Sequence, residues 1–248
     1  MPARLGSVRL ARKPLVDLAG APLIVRVCEN LARAAVCERI VVATDAEEVR
    51  RVVRAAGHEA VLTDPALPSG TDRVAAACRA LGLAPERVVV NVQGDEPFVE
   101  PALLRALAAA IRPGEVHVAT PVEALGDSAL LADPDVVKVA LGVGDRALYF
   151  SRSAIPHVRE LGGSAPPDLH VRHVGVYAYT AATLARLASL APHALEEAER
   201  LEQLRWLAHG VEVRCVRVEP SARGVDTEAD RRRADDYLRR HLSRPQRR

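Results

Sequence analysis

Residues 87–97 read Arg-Val-Val-Val-Asn-Val-Gln-Gly-Asp-Glu-Pro, and this stretch decides the fold class of the 248-residue chain. A run of valines without polar alternation is typical of a strand covered on both faces, which predicts a strand over Arg87–Asp95. Similar apolar runs lie at Arg39–Asp45 and Glu59–Asp64. Amphipathic helical patterns follow the three runs, at 46–56, 71–81 and 101–111. Strands alternating with helices at this spacing predict an α/β fold with a parallel sheet.

The second half of the chain has a different pattern. Strand-like runs separated by loops occupy 115–122, 136–143 and 147–151, a turn-rich break lies at 162–167, and a strand is predicted over 170–180. Helices are predicted over 181–190, 195–210 and 227–242, with a strand at 211–218 and a basic tail at 244–248. No internal repeat or low-complexity linker divides the chain. We therefore predict a single domain, 1–248, with a β-rich insertion at about 145–180.

Composition excludes several classes of protein. Hydrophobic residues make up 49% and charged residues 27%, as in ordinary globular proteins, which excludes disorder as the main state. A net charge of +2 is too balanced for a protein that holds nucleic acid through its overall field, so no nucleic-acid partner is expected. Lys13 and Lys138 are the only lysines among 34 basic residues, which makes these two positions of interest.

Localisation follows from what the sequence lacks. The four cysteines form no CxxC pair, which is typical of reduced thiols in a cytosolic protein. The first residues have no apolar segment of the signal-peptide type. No uncharged apolar run approaches the roughly 18 residues of a membrane span. We therefore expect a cytoplasmic protein without a membrane partner.

The opening segment, Pro2–Leu15, is rich in cations and contains Gly6 and Ser7. Backbone N–H groups near a glycine, together with Arg4 and Lys13, could hold phosphate oxygens. The alternative is a solvated basic N-terminus. The spacing matches neither the GxxxxGK[ST] phosphate loop nor the GxGxxG dinucleotide motif, which argues against a dinucleotide-binding oxidoreductase.

Two further segments carry polar residues next to predicted strands or helices. Asp95 ends the valine strand, where open α/β sheets bind ligands and where a carboxylate can hold Mg²⁺ beside substrate phosphates. A simple turn at Gly94-Asp95 is the alternative. Ser69, in the sequence Ser-Gly-Thr-Asp-Arg, predicts a helix N-cap that could also form an anion or base pocket. Asp226 has the pattern of another N-cap.

Candidate polar residues also occur later in the chain. Arg152 follows a strand end, and His173 and Tyr177 fall on the same face of the strand predicted over 170–180. His170 falls on the opposite face, which argues against a zinc pair. Glu199 and Gln203 are one turn apart if 195–210 is one helix, although most carboxylates on such a helix are simply solvated.

Taken together, the ordered motifs resemble those of the 3-deoxy-manno-octulosonate (Kdo) cytidylyltransferases. The resemblance runs from Pro2 to the helix after Asp226. The motifs are PARxxSxRxxxKPL at 2–15, VVATD at 41–45, SGTDR at 69–73, NVQGDEP at 91–97, VVKV at 136–139, YFSRxxIP at 149–156, HxGxYxY at 173–179, LExxExLEQLR at 195–205 and GVDT at 224–227. The opening loop alone indicates only sugar nucleotidyltransferases, whereas the whole set indicates the Kdo enzyme or a close relative.

The resemblance implies a fold, a reaction and a set of roles. The fold is Rossmann-like, a mixed and mostly parallel sheet covered by helices, with a smaller β-rich segment for homodimerisation. The reaction converts CTP and Kdo to CMP-Kdo and diphosphate with Mg²⁺, activating Kdo for lipopolysaccharide assembly. The implied nucleotide-binding residues are Arg4, Ser7, Lys13, Ser69, Gly70 and Arg73; the metal ligands are Asp95 and Asp226; the sugar-acid residues are Gln93, Arg152, His173, Tyr177, Glu202 and Gln203. Arg4, Lys13 and Asp95 are the catalytic candidates.

The chain also departs from the family pattern. Family members begin with a short apolar strand just before PAR, whereas here only Met1 precedes it, so the first strand is expected to be truncated. Unpaired neighbours of that strand would cost about 1–3 kcal/mol per buried group, which predicts an unstable chain unless upstream residues restore it. Ala11-Arg12 replace Pro-Gly, Leu67 replaces a histidine, and His193-Ala194 replace Ser-Pro. Two alternatives stay open: a nucleotidyltransferase for another sugar acid, of the sialic acid or amino-Kdo type, and a non-catalytic nucleotide-binding remnant.

Overall fold

The computed structural model describes residues 1–6, 9–112, 114–159, 168–220 and 224–242. The chain divides into two compact units. The first unit consists of Met1–Gly82, Val92–Pro101 and Ser221–Arg248, and the second of Leu83–Asn91 and Ala102–Pro220. None of the described helices combines the length and the apolar character that crossing a membrane requires.

Strands and helices alternate along most of the described chain. The strands are β1 Pro2–Ala3, β2 Asp17–Leu18, β3 Ala21–Pro22, β4 Val41–Thr44, β5 Glu59–Leu62, β6 Val88–Asn91, β7 Val118–Ala124, β8 Lys138–Leu141, β9 Ala147–Ser151, β10 Val171–His173, β11 Tyr177–Thr180 and β12 Arg214–Val218. The helices are α1 Leu23–Ala34, α2 Glu47–Ala55, α3 Gly70–Ala80, α4 Pro101–Ala110, α5 Ser128–Ala132, α6 Ala181–Ala188, α7 Ala194–Glu199, α8 Gln203–Ala208 and α9 Glu228–Leu242. Short 3-10 turns lie at Lys13–Leu15 and Val143–Asp145.

The first unit contains a three-stranded parallel sheet in the order β1-β4-β5. Local sequence explains its helices: α2 carries two glutamates in its first turn, and Val49 and Val53, one turn apart, are buried. The first strand is short but not absent, because Pro2 and Ala3 pair with β4. Met1 continues this pairing through hydrogen bonds with the Val41 carbonyl (3.0 Å) and the Ala43 N–H (2.8 Å). These two groups of β4, which the sequence suggested would be unpaired, therefore have partners.

The second unit contains a seven-stranded sheet in the order β6-β11-β7-β10-β8-β9, with β12 added parallel to β7. The other pairings in this sheet are antiparallel. The mixed α/β class is thus confirmed, but among the described strands parallel pairing is confined to the small sheet and the β7–β12 pair. The valine strand β6 differs from the expectation: it pairs antiparallel with β11, because the chain returns through Tyr177–Thr180 alongside it.

Two predicted elements are each divided in the structure. The predicted strand over 170–180 is two strands, because β10 pairs with β7 and β8 whereas β11 pairs with β6 and β7. The predicted helix over 195–210 is also wrong. Arg200 has a left-handed backbone (φ 54°), which ends α7 before α8 begins at Gln203. Glu199 and Gln203 therefore do not share one face of one helix.

Candidate active site

A pocket of about 370 Å³ lies in the first unit. Its wall comes from residues of the opening segment, from the N-terminus of α3, from the strand-end sequence Gln93–Asp95 and from Asp226. The predicted nucleotide and metal residues that the structure describes therefore come together in one place. Ser7 lies outside the described residues. Gln93, expected to contact the sugar acid, also lines this pocket.

The Lys13 ammonium lies between two carboxylates in this pocket. It donates hydrogen bonds to Asp95 and to Asp226 Oδ1, the latter at 2.7 Å. Burial of Lys13 lowers its pKa, but attraction to Asp95 and the hydrogen bonds to both carboxylates outweigh burial and raise the pKa above its ordinary value. Lys13 therefore keeps its positive charge at neutral pH. The Asp226 side chain remains 44% exposed and accessible to a ligand.

The polypeptide backbone brings these two acids together across a long sequence separation. The Val225 N–H donates to the Asp95 carbonyl (2.8 Å), which attaches the segment before α9 to the strand-end sequence. Glycine allows close backbone approach on both sides: a Cβ on Gly94 would lie 2.9 Å from the Pro2 carbonyl oxygen, and one on Gly224 would lie 3.0 Å from the Asp95 carbonyl oxygen. Close backbone approach thus creates the pair of carboxylates.

The chemistry of this pair fits a divalent cation of the Mg²⁺ type. Both side chains supply carboxylate oxygens, the ligands that Mg²⁺ prefers, and both already contact one positive charge, the Lys13 ammonium. Across the described ranges, no group of three or more His, Cys, Asp or Glu forms a ready metal cage. Two carboxylates leave the rest of an octahedral shell to water and substrate phosphates, which is how Mg²⁺ is usually held.

The N-terminus of α3 forms another wall of the pocket. Ser69 caps the helix, accepting a hydrogen bond from the Asp72 N–H (3.1 Å), as its sequence pattern predicts. The Arg73 side chain is only 3% exposed and its guanidinium donates to Asp45 Oδ2 (2.8 Å) and Thr63 Oγ1 (2.5 Å). Arg73 therefore connects the segments that follow β4 and β5. This arrangement favours a positioning role for Arg73 over direct contact with a nucleotide.

Two other cations reach the pocket from the opening segment. Arg4 is exposed and makes no ion pair with any residue that the structure describes. Arg9 pairs with Asp226 at 3.1 Å. Nothing in the sequence indicates this pair, because Arg9 and Asp226 are far apart along the chain and Arg9 is only one part of a cation-rich segment. The pocket thus presents Arg4 to an incoming anion while Lys13 and Arg9 hold the carboxylates.

The remaining candidates, Arg152, His173, Tyr177, Glu202 and Gln203, lie in the second unit. Arg152 is held on several sides: its backbone N–H donates to Glu199 Oε2 (2.9 Å), its Nε to the Glu199 carbonyl (2.8 Å) and one Nη to the Pro134 carbonyl (2.9 Å). Glu199 also accepts from Ser151 Oγ (2.6 Å). Sequence reasoning placed Glu199 beside Gln203 on one helix. The structure instead shows that it fixes the main chain at Arg152.

His173 is a neutral histidine within an aromatic cluster. The Thr120 hydroxyl has one proton and donates it to the Val176 carbonyl (2.8 Å), so it accepts from His173 Nε2 at 2.9 Å, which fixes the tautomer. Burial, aided by the positive charge of Arg172, lowers the pKa of His173 to about 3. His170 instead contacts the Pro156 carbonyl (3.0 Å), so the two histidines have different partners.

Tyr177 connects His173 to α8. The ring centroid of Tyr177 lies 5.3 Å from that of His173 and 5.0 Å from that of Trp206. Burial and the nearby Glu202 carboxylate raise the pKa of Tyr177 well above its ordinary value. Gln203 is 4% exposed, and its Nε2 has no hydrogen-bond partner in the described part of the chain. His173, Tyr177 and Trp206 thus form an aromatic cluster, with the Glu202 carboxylate near Tyr177.

The first unit thus has the features of an anion-binding protein of the α/β class, with a parallel sheet, a cationic pocket and a pair of carboxylates suited to a divalent cation. The Cytidylyltransferase family model matches residues 1–213. A curated relative from Anaeromyxobacter sp. (strain K), a 3-deoxy-manno-octulosonate cytidylyltransferase, is 47% identical over 238 residues and aligns over 96% of both chains. A solved structure of CMP:2-keto-3-deoxy-manno-octonic acid synthetase complexed with CTP matches with a TM-score of 0.88 and 36% identity over 97% of each chain. The chain belongs to the cytidylyltransferase family.

Proposed function

We propose that the chain transfers the cytidylyl group of CTP to Kdo, giving CMP-Kdo and diphosphate. The observation that carries the proposal is the Lys13 ammonium between Asp95 and Asp226, in a pocket that also presents Arg4. A triphosphate with its accompanying cation needs this combination of positive side chains and carboxylates. The relatives that bear the names of Kdo cytidylyltransferases support the choice of CTP and Kdo.

The reaction needs positioning and charge neutralisation more than covalent help from the protein. The anomeric hydroxyl of the sugar acid attacks the α-phosphorus in line, the bond to the bridging oxygen breaks, and diphosphate leaves. Arg4 and Lys13 would stabilise the charge on the departing diphosphate. Ser69 and the backbone at Gly70 would contact the base and ribose.

Asp95 and Asp226 would hold Mg²⁺, which when bound neutralises phosphoryl oxygens and lowers the pKa of the attacking hydroxyl. The contact of both carboxylates with the Lys13 ammonium supports this assignment. With Mg²⁺ held by these carboxylates, the Lys13 ammonium would be available to phosphate oxygens. Lys13 would thus exchange carboxylate partners for the nucleotide.

The second unit supplies the residues proposed for the sugar acid, and Gln93 is assigned to the same ligand. Within the described residues no carboxylate side chain forms an ion pair with the Arg152 guanidinium, and its Nη2 makes no hydrogen bond. A sugar-acid carboxylate would supply the missing negative charge. Tyr177, Glu202 and Gln203 offer donors and acceptors for sugar hydroxyls, with His173 beside them.

We further propose that the chain is one nucleotidyltransferase domain and that it forms a homodimer, with the segment at about 145–180 as the dimer contact. This homodimer would act in the cytoplasm, in lipopolysaccharide assembly. Val143, just before that segment, is 101% exposed, and Leu148, within it, is 52% exposed. The proposed dimer contact would cover these two apolar side chains.

The test is release of diphosphate by the purified chain, measured with each of CTP, sugar acid and Mg²⁺ omitted in turn. We expect turnover only when CTP, Kdo and Mg²⁺ are all present, and loss of turnover in Asp95→Asn. A preference for sialic acid or amino-Kdo over Kdo would replace the proposed substrate with the alternative one. No turnover with any sugar acid, although CTP binds, would identify a non-catalytic nucleotide-binding protein.

A further inference from the structure

Lys138, the first residue of β8, is one of two lysines in the chain, and its side chain is fully buried. Its ammonium donates to three backbone carbonyls, those of Asp133 (2.9 Å), Val136 (2.6 Å) and Arg152. Three N–H donors thus meet three acceptors, and among the described residues no acidic side chain forms an ion pair with it. Burial, with a smaller effect of the Arg152 charge, lowers the pKa of Lys138, while the three carbonyls and the nearby Asp133 and Glu199 carboxylates stabilise the ammonium.

These contacts connect two segments of the second unit. The Asp133 and Val136 carbonyls belong to the turn between α5 and β8, whereas Arg152 follows β9. The Arg152 guanidinium contacts the same turn through the Pro134 carbonyl (2.9 Å). The turn, Lys138 and Arg152 therefore form a closed set of hydrogen bonds. Movement of the turn would move both the main chain and the guanidinium of Arg152.

We infer that Lys138 is a positioning residue that orients the Arg152 guanidinium toward the carboxylate of the sugar acid. This inference rests on the proposed function, in which Arg152 receives that carboxylate. Lys138 fixes the Arg152 carbonyl, and Glu199 fixes the Arg152 N–H. The Arg152 Nη2 has no hydrogen-bond partner in the described part of the chain, while Nε and the other Nη are held by backbone carbonyls.

The choice of lysine supports this role. Arginine occupies every basic position of the chain except 13 and 138. A compact ammonium with three rotatable donors can bond three carbonyls that converge on one point, whereas the planar guanidinium fork of arginine cannot. Position 138 therefore requires the geometry of an ammonium and not merely a positive charge.

The kinetic test compares Lys138→Met and Lys138→Gln with the wild-type enzyme, and Arg186→Met, an exposed change on α6, serves as the control. We expect the KM for Kdo to rise roughly 10- to 100-fold in the Met variant and less in the Gln variant, because even small misplacement of a binding group is costly. The KM for CTP should change little. An equal rise in both KM values, or a lower kcat alone, would overturn the inference.

A double-mutant comparison tests whether Lys138 acts through Arg152. In an Arg152→Met background, adding Lys138→Met should change the KM for Kdo by less than about twofold, because the group being oriented is gone. If the rise in the KM for Kdo in the double variant equals the product of the rises in the two single variants, this role is contradicted. Lys138→Arg should raise the KM for Kdo about as much as Lys138→Met does. A wild-type KM in Lys138→Arg would show that positive charge alone matters at this position.

A further readout needs no substrate, which separates this inference from the proposed function. In the wild-type protein the Arg152 Nε–H, bonded to the Glu199 carbonyl, should give a slowly exchanging signal in ¹⁵N NMR. Lys138→Gln should make that signal exchange rapidly while the overall spectrum stays folded. An unchanged Arg152 signal would overturn the positioning role even if the enzyme proves active on Kdo. If the wild-type protein is inactive but the Arg152 signal still changes in Lys138→Gln, only the proposed function is overturned.

Discussion

At the scale of single residues, Lys13 connects the two parts of the proposed nucleotide site, because one ammonium contacts both Asp95 and Asp226. Removing it takes away a positive charge that would stabilise the leaving diphosphate and leaves two carboxylates facing each other. We predict that Lys13→Met lowers kcat by roughly 10²- to 10³-fold, as the loss of one preorganised group does in other enzymes. Steady-state diphosphate release measures the effect.

A matched control for Lys13 is Arg39→Met, which removes an exposed partner of Glu59 on the first unit. Exposed ion pairs contribute little, so its kcat should stay within about twofold of wild type. Equal losses in the two variants would show that Lys13 acts through general folding. An unchanged kcat in Lys13→Met would remove Lys13 from the catalytic machinery.

His173 gives a prediction for stability against pH. Its pKa is lowered to about 3 in the folded chain, chiefly by burial and also by Arg172, whereas an unfolded histidine titrates near about 6.5. Between these values the unfolded chain binds the proton more tightly, so stability falls as pH falls from about 6.5 toward about 3. One such group contributes a slope of at most about 1.4 kcal/mol per pH unit.

The measurement for His173 is urea unfolding of wild type and His173→Gln from pH 7 to pH 4. The variant should show a shallower fall in unfolding free energy, because the differential proton uptake of this histidine is gone. Parallel curves for the two proteins would contradict the assignment of a buried neutral imidazole. An NMR titration that gives His173 its ordinary pKa would also contradict that assignment.

At the scale of elements, the close approach of β1 to the strand-end sequence depends on Gly94. A Cβ there would lie 2.9 Å from the Pro2 carbonyl oxygen and 3.2 Å from Ile24 Cδ1. We predict that Gly94→Ala lowers the unfolding free energy by about 1–3 kcal/mol, the usual cost of overpacking. Gly126→Ala is the control, because a Cβ at Gly126 meets nothing within 4 Å. Urea unfolding should show little change for the control, and equal losses would contradict the structural account.

Elements also show which features can be predicted from sequence. The pattern-based helices after β4, β5 and β6 are present, because each buries an apolar stripe, and Ser69 also caps the helix after β5. The break at Arg200 was not predictable, because an arginine in a left-handed conformation has no sequence signature and only the surrounding packing selects it. The split of 170–180 was missed for a related reason: strand partners depend on contacts distant in sequence.

The same distinction applies to the site. The motifs identified Lys13, Asp95 and Asp226 as members of one site, and the structure places them in contact. The roles of Glu199 and Lys138 around Arg152 could not be predicted, because they depend on backbone carbonyls and N–H groups that carry no residue identity. The rarity of lysine in this chain and the VVKV motif at 136–139 pointed toward position 138 but not toward its role.

At the scale of the whole molecule, the proposed homodimer predicts a response to a charge on the β9 surface. Leu148 is 52% exposed on β9, and an arginine there would place a charge inside an apolar contact. We predict that Leu148→Arg converts the dimer to a monomer in sedimentation velocity. Leu62→Arg, at a 43% exposed leucine on β5, should leave the dimer intact. A monomeric wild type, or a Leu148→Arg variant that remains dimeric, would contradict the proposed contact.

The central claim is that the molecule directs a sugar-acid hydroxyl to the α-phosphorus of CTP. The most direct test is incubation with CTP labelled with ³²P at the α-position, together with Kdo and Mg²⁺, followed by separation of the products. We predict that the label appears in the sugar nucleotide, that diphosphate is unlabelled, and that Asp95→Asn gives neither product. Label released as free CMP without a sugar nucleotide, or intact CTP after prolonged incubation, would contradict the account.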